Sequence, residues 1–276
     1  MVIHERPGVM SVMAPATEDS GADREATEFT PRVSVVIPTL NEAKNLPHVF
    51  AQLPDNIFEV ILVDGHSTDD TVAVARDLYP SVRVLRQMRR GKGEALACGF
   101  AACRGDIIVM LDADGSADGG EIPRFVDALR GGADFAKGSR FMRGGGSADI
   151  TRLRRVGNLA LNTLVNVLFG TRYSDLCYGY NAFWRHCLPH MNIDCDGFEV
   201  ETLINIRISK AGLRVREVPS FESCRIHGVS NLKAGRDGLR VLKTIMRERL
   251  ISTSTRNAEP VYDMEREQDI ERTMAM

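Results

Sequence analysis

The chain has 276 residues, 43% hydrophobic and 26% charged, enough to bury one large α/β core. Its formal charge of −2 excludes wholesale nucleic-acid binding, so any anion site must be local. No run of about 18 apolar residues occurs, no signal-type apolar region opens the chain, and the six cysteines have no CxxC or compact ligand spacing. Membrane spans, disulfides and zinc sites are therefore not expected, and the thiols read as reduced and cytosolic.

Residues 1–31 are polar with scattered Pro and Gly, and read as a disordered leader. Val33–Pro38 is a short β-rich run, Glu42–Leu53 a predicted helix, and Glu59–Asp64 a buried strand. A helix over Thr68–Leu78, a strand over Val82–Leu85, a helix over Glu94–Cys103 and a strand over Asp106–Leu111 follow. Such alternation predicts an α/β fold: a mostly parallel sheet flanked by helices, in a single domain over residues 32–235. An apolar helix runs from Arg152 to about Phe169, and another covers Leu203–Lys210. Residues 236–251 form an amphipathic helix with Leu239, Leu242, Met246 and Leu250 on one face. Beside them lies a basic stripe of Arg236, Arg240, Lys243 and Arg247. That helix suits either an anionic membrane surface or a core with a solvated rim. Residues 252–276 read as a flexible tail.

Polar and acidic residues recur where the strands end, at Asn41 and Glu42, at Asp64, and at Asp112 and Asp114. In open α/β sheets that edge binds ligands. Five apolar residues, Ile107–Leu111, precede Asp112-Ala113-Asp114, and Gly115-Ser116 turns the chain. Two carboxylates at the tip of a doubly buried strand suit a hard divalent cation that in turn holds a phosphate. Asp69 and Asp70, in Ser67-Thr68-Asp69-Asp70, read first as helix caps, while for Asp64 capping and ligand binding stay open. No G-x-G-x-x-G follows the first strand and Arg90-Gly91-Lys92-Gly93 is not a Walker loop, which argues against a dinucleotide cofactor or a P-loop ATPase.

Several motifs together resemble the family 2 glycosyltransferases of GT-A fold. They are Val36-Ile37-Pro38-Thr39-Leu40-Asn41-Glu42, Val63-Asp64-Gly65-His66-Ser67-Thr68-Asp69, Gly91-Lys92-Gly93 and Asp112-Ala113-Asp114. Gly138-Ser139-Arg140-Phe141, Gly179-Tyr180-Asn181-Ala182-Phe183, Gly197-Phe198-Glu199 and Arg225-Ile226-His227-Gly228-Val229-Ser230 narrow the resemblance to the dolichyl- and polyprenyl-phosphate hexosyltransferases. The resemblance implies an inverting transfer of a hexose from a nucleotide-diphosphate sugar to a lipid phosphate. It implies donor contacts at Pro38, Asn41, Glu42 and Asp64, and Mg²⁺ or Mn²⁺ on Asp112 and Asp114, with Ser116 offering a further oxygen. Lys92 would add charge near the leaving diphosphate, or else be a solvated loop lysine. A phosphate acceptor is already an anion and needs positioning rather than a general base. Arg140, Arg154 and Arg225 would supply its cations, with Asn158 one turn after Arg154, Ser230 closing from a late loop and His227 beside it.

The chain departs from the pattern in two places. Asp64-Gly65-His66-Ser67 lacks the second carboxylate of the common Asp-Asp-Gly-Ser, and Ser116 stands where the branch often has Gln. An alternative is a soluble hydroxyl acceptor, which needs a base from Asp196, Glu199 or Glu201; the last two also read as acids at a helix start. A nucleotidyltransferase and an inactive nucleotide-sugar-binding module are the other classes open. The resulting expectation is a cytoplasmic, metal-dependent enzyme, peripheral at an anionic membrane, without nucleic acid among its partners.

Overall fold

In the computed structural model, residues 29–229 and 232–251 are described. The tail 252–276, nearly all of the leader, and Ser230 lie outside the described residues. The elements run β1 (Val33–Thr39), α1 (Leu46–Ala51), β2 (Glu59–Asp64), α2 (Thr71–Leu78), β3 (Arg83–Arg86), α3 (Lys92–Ala102) and β4 (Ile107–Met110). Next come α4 (Ile122–Arg130), β5 (Phe135–Ser139), β6 (Gly146–Ser147), α5 (Arg152–Phe169) and β7 (Asn181–Trp184). The chain continues through α6 (Leu188–Met191), α7 (Val200–Lys210), β8 (Val215–Pro219), β9 (Phe221–Glu222) and α8 (Ala234–Leu250).

Seven strands form one sheet in the order β3-β2-β1-β4-β7-β5-β8, and β6 and β9 pair as a small parallel ribbon. Only β7 runs antiparallel to its neighbours, so the sheet is mostly parallel, as expected. Both faces are covered, which is why the strands read as continuous apolar runs. Val35, Ile37, Val60, Leu62 and Val109 point to the layer of α1, α2 and α4. Their alternates Val36, Ile61, Val63, Ile108 and Met110 point to α3, α6 and α7. A third cluster joins α5, α7 and α8 through Val165, Ile206, Val241 and Ile245.

Two helix starts fall later than expected. Residues 42–45 form a turn before Leu46, with Asn45 N–H donating to the Glu42 carbonyl at 2.9 Å, so Glu42 is held at the strand end rather than in α1. Helix α2 opens at Thr71, not Thr68, because Asp69 takes the Thr71 N–H (3.1 Å) and the Ala43 N–H (3.2 Å). The capping role therefore falls to Asp69; Asp70 makes no side-chain cap. In α8, Asp237, Val241, Thr244, Ile245 and Glu248 are buried, while Leu239, Leu242, Met246 and Leu250 are exposed. The helix thus packs on the domain by one face and leaves its apolar stripe facing outward, exposed in part. Among the described residues no disulfide joins any of the six cysteines.

Phe183 of β7 lies stacked on Phe135 (5.7 Å between centroids) and edge-on to Phe100 (5.2 Å), joining the sheet to α3. Phe183→Ala is expected to lower the unfolding free energy by about 3–5 kcal/mol, read as a fall in the urea midpoint at constant slope.

Candidate active site

The carboxyl ends of β1, β2 and β4 open onto a cavity of about 1280 Å³, closed on its far side by α5, β9 and the start of α8. Two non-glycine residues at this edge adopt left-handed backbone, Asn41 (φ 59°) and His66 (φ 67°), as the chain turns sharply away from the strand ends. Asn41 and Asp64 brace these turns: Asn41 Oδ1 accepts from Thr68 N–H at 2.7 Å, and Asp64 Oδ1 accepts from Ser67 N–H at 3.1 Å. Pro38, Glu42, Gly65, His66, Thr68 and the buried Gln87 form that wall of the cavity.

Three of the strand-end acids, Glu42, Asp112 and Asp114, are paired with cations. Arg225 spans two of them, with Nη1 at 2.9 Å from Glu42 and Nη2 at 3.0 Å from Asp114. Lys92 Nζ lies 2.6 Å from Asp112 and 2.8 Å from Glu201. Lys92 is thus no solvated loop lysine. Burial would lower its ammonium, but the two carboxylates outweigh burial and hold it well above the ordinary value. Burial raises the Glu201 carboxyl against the pull of Lys92, and raises Glu42 against Arg225 and Asn45. Gly91 and Gly93 make this placement possible. Gly91 is left-handed at φ 119°, and a Cβ on either residue would overlap the Cys195–Asp196 backbone, to whose Asp196 carbonyl Gly93 N–H donates at 3.0 Å.

Asp114 Oδ1 also accepts from the Ser116 N–H (3.0 Å) and hydroxyl (2.6 Å), so Ser116 orients that carboxylate. Asp112 and Asp114 both reach the cavity and are the residues able to hold a divalent cation. The loop carrying Arg225 is tied to the metal strand, since Ser223 N–H donates to the Ser116 carbonyl and Ile226 N–H to that of Asp114. His227 bonds through its backbone N–H to Asn45 Oδ1 (2.9 Å), its ring lies 6.0 Å from His48, and it is not among the residues that line the cavity.

Across the cavity, Arg140 is buried between two carboxylates. It donates to Asp175 through Nε (2.7 Å) and Nη2 (3.0 Å), and to Glu222 through Nη1 (3.0 Å). Burial opposes its charge, but these partners raise its pKa. Burial would raise Asp175, yet Arg140 and the fully buried Lys137 bring it down. Asn158 donates to Asp175 at 3.1 Å, and Arg154 pairs with Asp149 at 2.9 Å. Arg140, Arg154 and Asn158 all line the cavity, so the structure gathers them opposite Asp112 and Asp114. Thr151 caps α5 by accepting from the Arg154 N–H, and of the arginines in the first turn Arg154 is the one that pairs with Asp149, while Arg152 and Arg155 are exposed. Of the acids considered as a base, Glu201 is held by Lys92, Glu199 sits at the start of α7 and is buried, and Asp196 is exposed at the rim. Asp175, Glu222 and Gln87 were not legible beforehand. Arg140 meets Glu222 across 82 positions of sequence, and no local pattern marks such a pair.

The chain matches the family model described as glycosyl transferase family 2 over residues 34–190. Among curated proteins it is 33% identical to the polyprenol monophosphomannose synthase of Mycolicibacterium smegmatis, over 81% of this chain and 89% of that protein. It is 34% identical to glycosyltransferase AglJ of Haloferax volcanii, over 75% of this chain and 68% of that one. It is 33% identical to the undecaprenyl-phosphate mannosyltransferase of Micrococcus luteus, over 74% and 88%. Among solved structures it resembles glucosyl-3-phosphoglycerate synthase from Mycobacterium tuberculosis in complex with Mn²⁺, uridine diphosphate and phosphoglyceric acid. That likeness has a TM-score of 0.65 and 26% identity, covering 81% of this chain and 80% of the other.

Because Asp175 accepts two side-chain hydrogen bonds from the buried Arg140, Asp175→Ala leaves that guanidinium with Glu222 as its remaining carboxylate. A loss of about 3–5 kcal/mol of stability is expected, measured by denaturant unfolding.

Proposed function

The chain belongs to glycosyl transferase family 2, and from that premise we propose that it transfers a hexose, with inversion, from a nucleotide-diphosphate sugar to a polyprenyl phosphate. The observation that carries the reading is one cavity with strand-tip carboxylates on one wall and Arg140, Arg154 and Asn158 on the other. The polyprenol- and undecaprenyl-phosphate relatives support this acceptor class.

In this reading the donor lies along Pro38, Glu42 and Gln87, with Asn41 and Asp64 holding the turns behind them rather than lining the cavity, and its diphosphate points toward Asp112, Asp114 and Lys92. Two carboxylates at the cavity suit Mg²⁺ or Mn²⁺, which take few protein ligands when substrate phosphates complete the shell. Among the described residues no group of three His, Cys, Asp or Glu is placed to hold a metal ion. Asp112 and Asp114 would hold the ion, with Ser116 fixing Asp114, and the ion would neutralise the departing diphosphate. An acceptor phosphate oxygen attacks the anomeric carbon from the side opposite the diphosphate, so the carbon–oxygen bond to the nucleotide breaks as the new one forms. No proton needs removing from a phosphate dianion. The protein's task is to bring two anions together. Arg154 and Arg225 hold the acceptor oxygens, with Arg140 behind them, and Asn158 keeps the Asp175–Arg140 pair in register.

A soluble hydroxyl acceptor is the second reading, favoured by the phosphoglycerate in the solved neighbour. It would need Asp196, Glu199 or Glu201 as base, and two of these are buried. A lipid acceptor sets the place of work at the cytoplasmic membrane face, with peripheral attachment. Among the described residues no helix is long and apolar enough to cross a membrane.

Transfer from radiolabelled UDP- and GDP-hexoses to short polyprenyl phosphates tests the reading. Label should enter the organic phase with Mg²⁺ or Mn²⁺, and chelation should abolish it. Asp114→Ala is expected to cost on the order of 10²–10³ in kcat. For Arg154→Ala the acceptor KM should rise roughly tenfold to a hundredfold, the worth of one charge-assisted hydrogen bond. Donor hydrolysis without lipid labelling would move the acceptor to a soluble hydroxyl.

A further inference from the structure

Helix α5 turns its asparagines toward the protein: Asn158 donates to Asp175, and both Asn162 (2.6 Å) and Asn166 (2.8 Å) donate to the Tyr173 carbonyl. Large apolar residues stand in its outer face, with Leu153 74%, Val156 66%, Leu159 63% and Val167 76% exposed. Scattered exposed leucines need no explanation, but four on one helix whose amides turn inward do. Helix α8 packs beside α5 in the third core cluster and leaves Leu239, Leu242, Met246 and Leu250 exposed in turn.

Charge is sorted in the same sense. Helix α5 contains no acidic residue, and both acids of α8, Asp237 and Glu248, are buried. Arg152, Arg155, Arg236, Arg240 and Lys243 are all exposed. We propose that the outer faces of α5 and α8 together form a docking surface for an anionic lipid bilayer. A second copy of this chain meeting the same face would bring like charges together, whereas anionic headgroups complement them, with the apolar side chains entering the acyl boundary. The position fits too. Leu153, Gly157 and Leu161 of α5 and Gly238 and Val241 of α8 line the cavity, giving an apolar wall that leads from this face to the arginines. The proposal deepens the lipid-phosphate reading and rests on it for its purpose.

The test is co-sedimentation of the full chain with phosphatidylcholine vesicles, with and without phosphatidylglycerol, beside a transfer assay using a water-soluble short isoprenyl phosphate. The full chain should sediment with the phosphatidylglycerol vesicles, less so at high salt. A Val156→Asp, Leu159→Asp double variant, and separately Lys243→Glu, should weaken vesicle binding, about tenfold or more for the double variant, while soluble transfer stays within about twofold. These residues lie outside the cavity and are exposed, so a folded variant is expected and is checked by its unfolding midpoint. If the wild-type chain stays in the supernatant, or the double variant sediments as the wild type does, the proposal is overturned. It is also overturned if the double variant breaks a dimer seen by light scattering and leaves vesicle binding intact. Vesicle binding lost in the variants, with no transfer to any isoprenyl phosphate by any form, supports the docking surface and sinks the acceptor reading alone.

Discussion

Neutralising carboxylates at the tip of a buried strand is the constraint from which the rest of this structure is arranged. Strand β4 is covered on both faces, so Asp112 and Asp114 at its end are only part-exposed, toward the cavity, and their charge is costly without partners. Lys92 arrives from the start of α3 and Arg225 from the loop after β9, and each binds a second acid, Glu201 or Glu42. The donor wall is therefore a chain of alternating charges tied to three separate parts of the fold. Such a wall is preorganised for a ligand that brings its own anion and cation, because substitution exchanges ion pairs rather than creating bare charges.

The opposite wall repeats the device with its own members. Arg140 is clasped by Asp175 and Glu222, and Lys137 is fully buried beside them with its ammonium turned to the Gly138 and Tyr178 carbonyls. Glu222 also receives the Ser147 hydroxyl and stands at the root of the loop that carries Arg225 to Asp114. The two walls are thus mechanically joined through β9. A change in the hold on Arg140 is felt within three residues of the cation that spans Glu42 and Asp114.

Helix α5 connects this chemistry to its surroundings. Turning Asn158, Asn162 and Asn166 inward satisfies loop 173–177, which delivers Asp175 to Arg140. The cost of that choice is an apolar exterior. One helix cannot both present amides to the domain and hide Val156, Leu159 and Val167 within it.

Much of this was legible from sequence, for a local reason. The doubly buried strands announce themselves as apolar runs, the acids stand directly at their ends, and α5 runs from Arg152 to Phe169 as its apolar pattern suggested, with the structure showing Thr151 and Gly170 as its caps. The order of motifs placed the chain in its family. What only tertiary structure decided is which charge meets which: that Lys92 is buried against Asp112 rather than solvated, and that Arg140 is shared by Asp175 and Glu222. It also decided that the leucines of α8 look outward. Periodicity states that a helix has two faces but not which one the domain will take. Likewise a residue's charge is written in the chain, while its partner is set by long-range packing, across 82 positions in the case of Arg140 and Glu222.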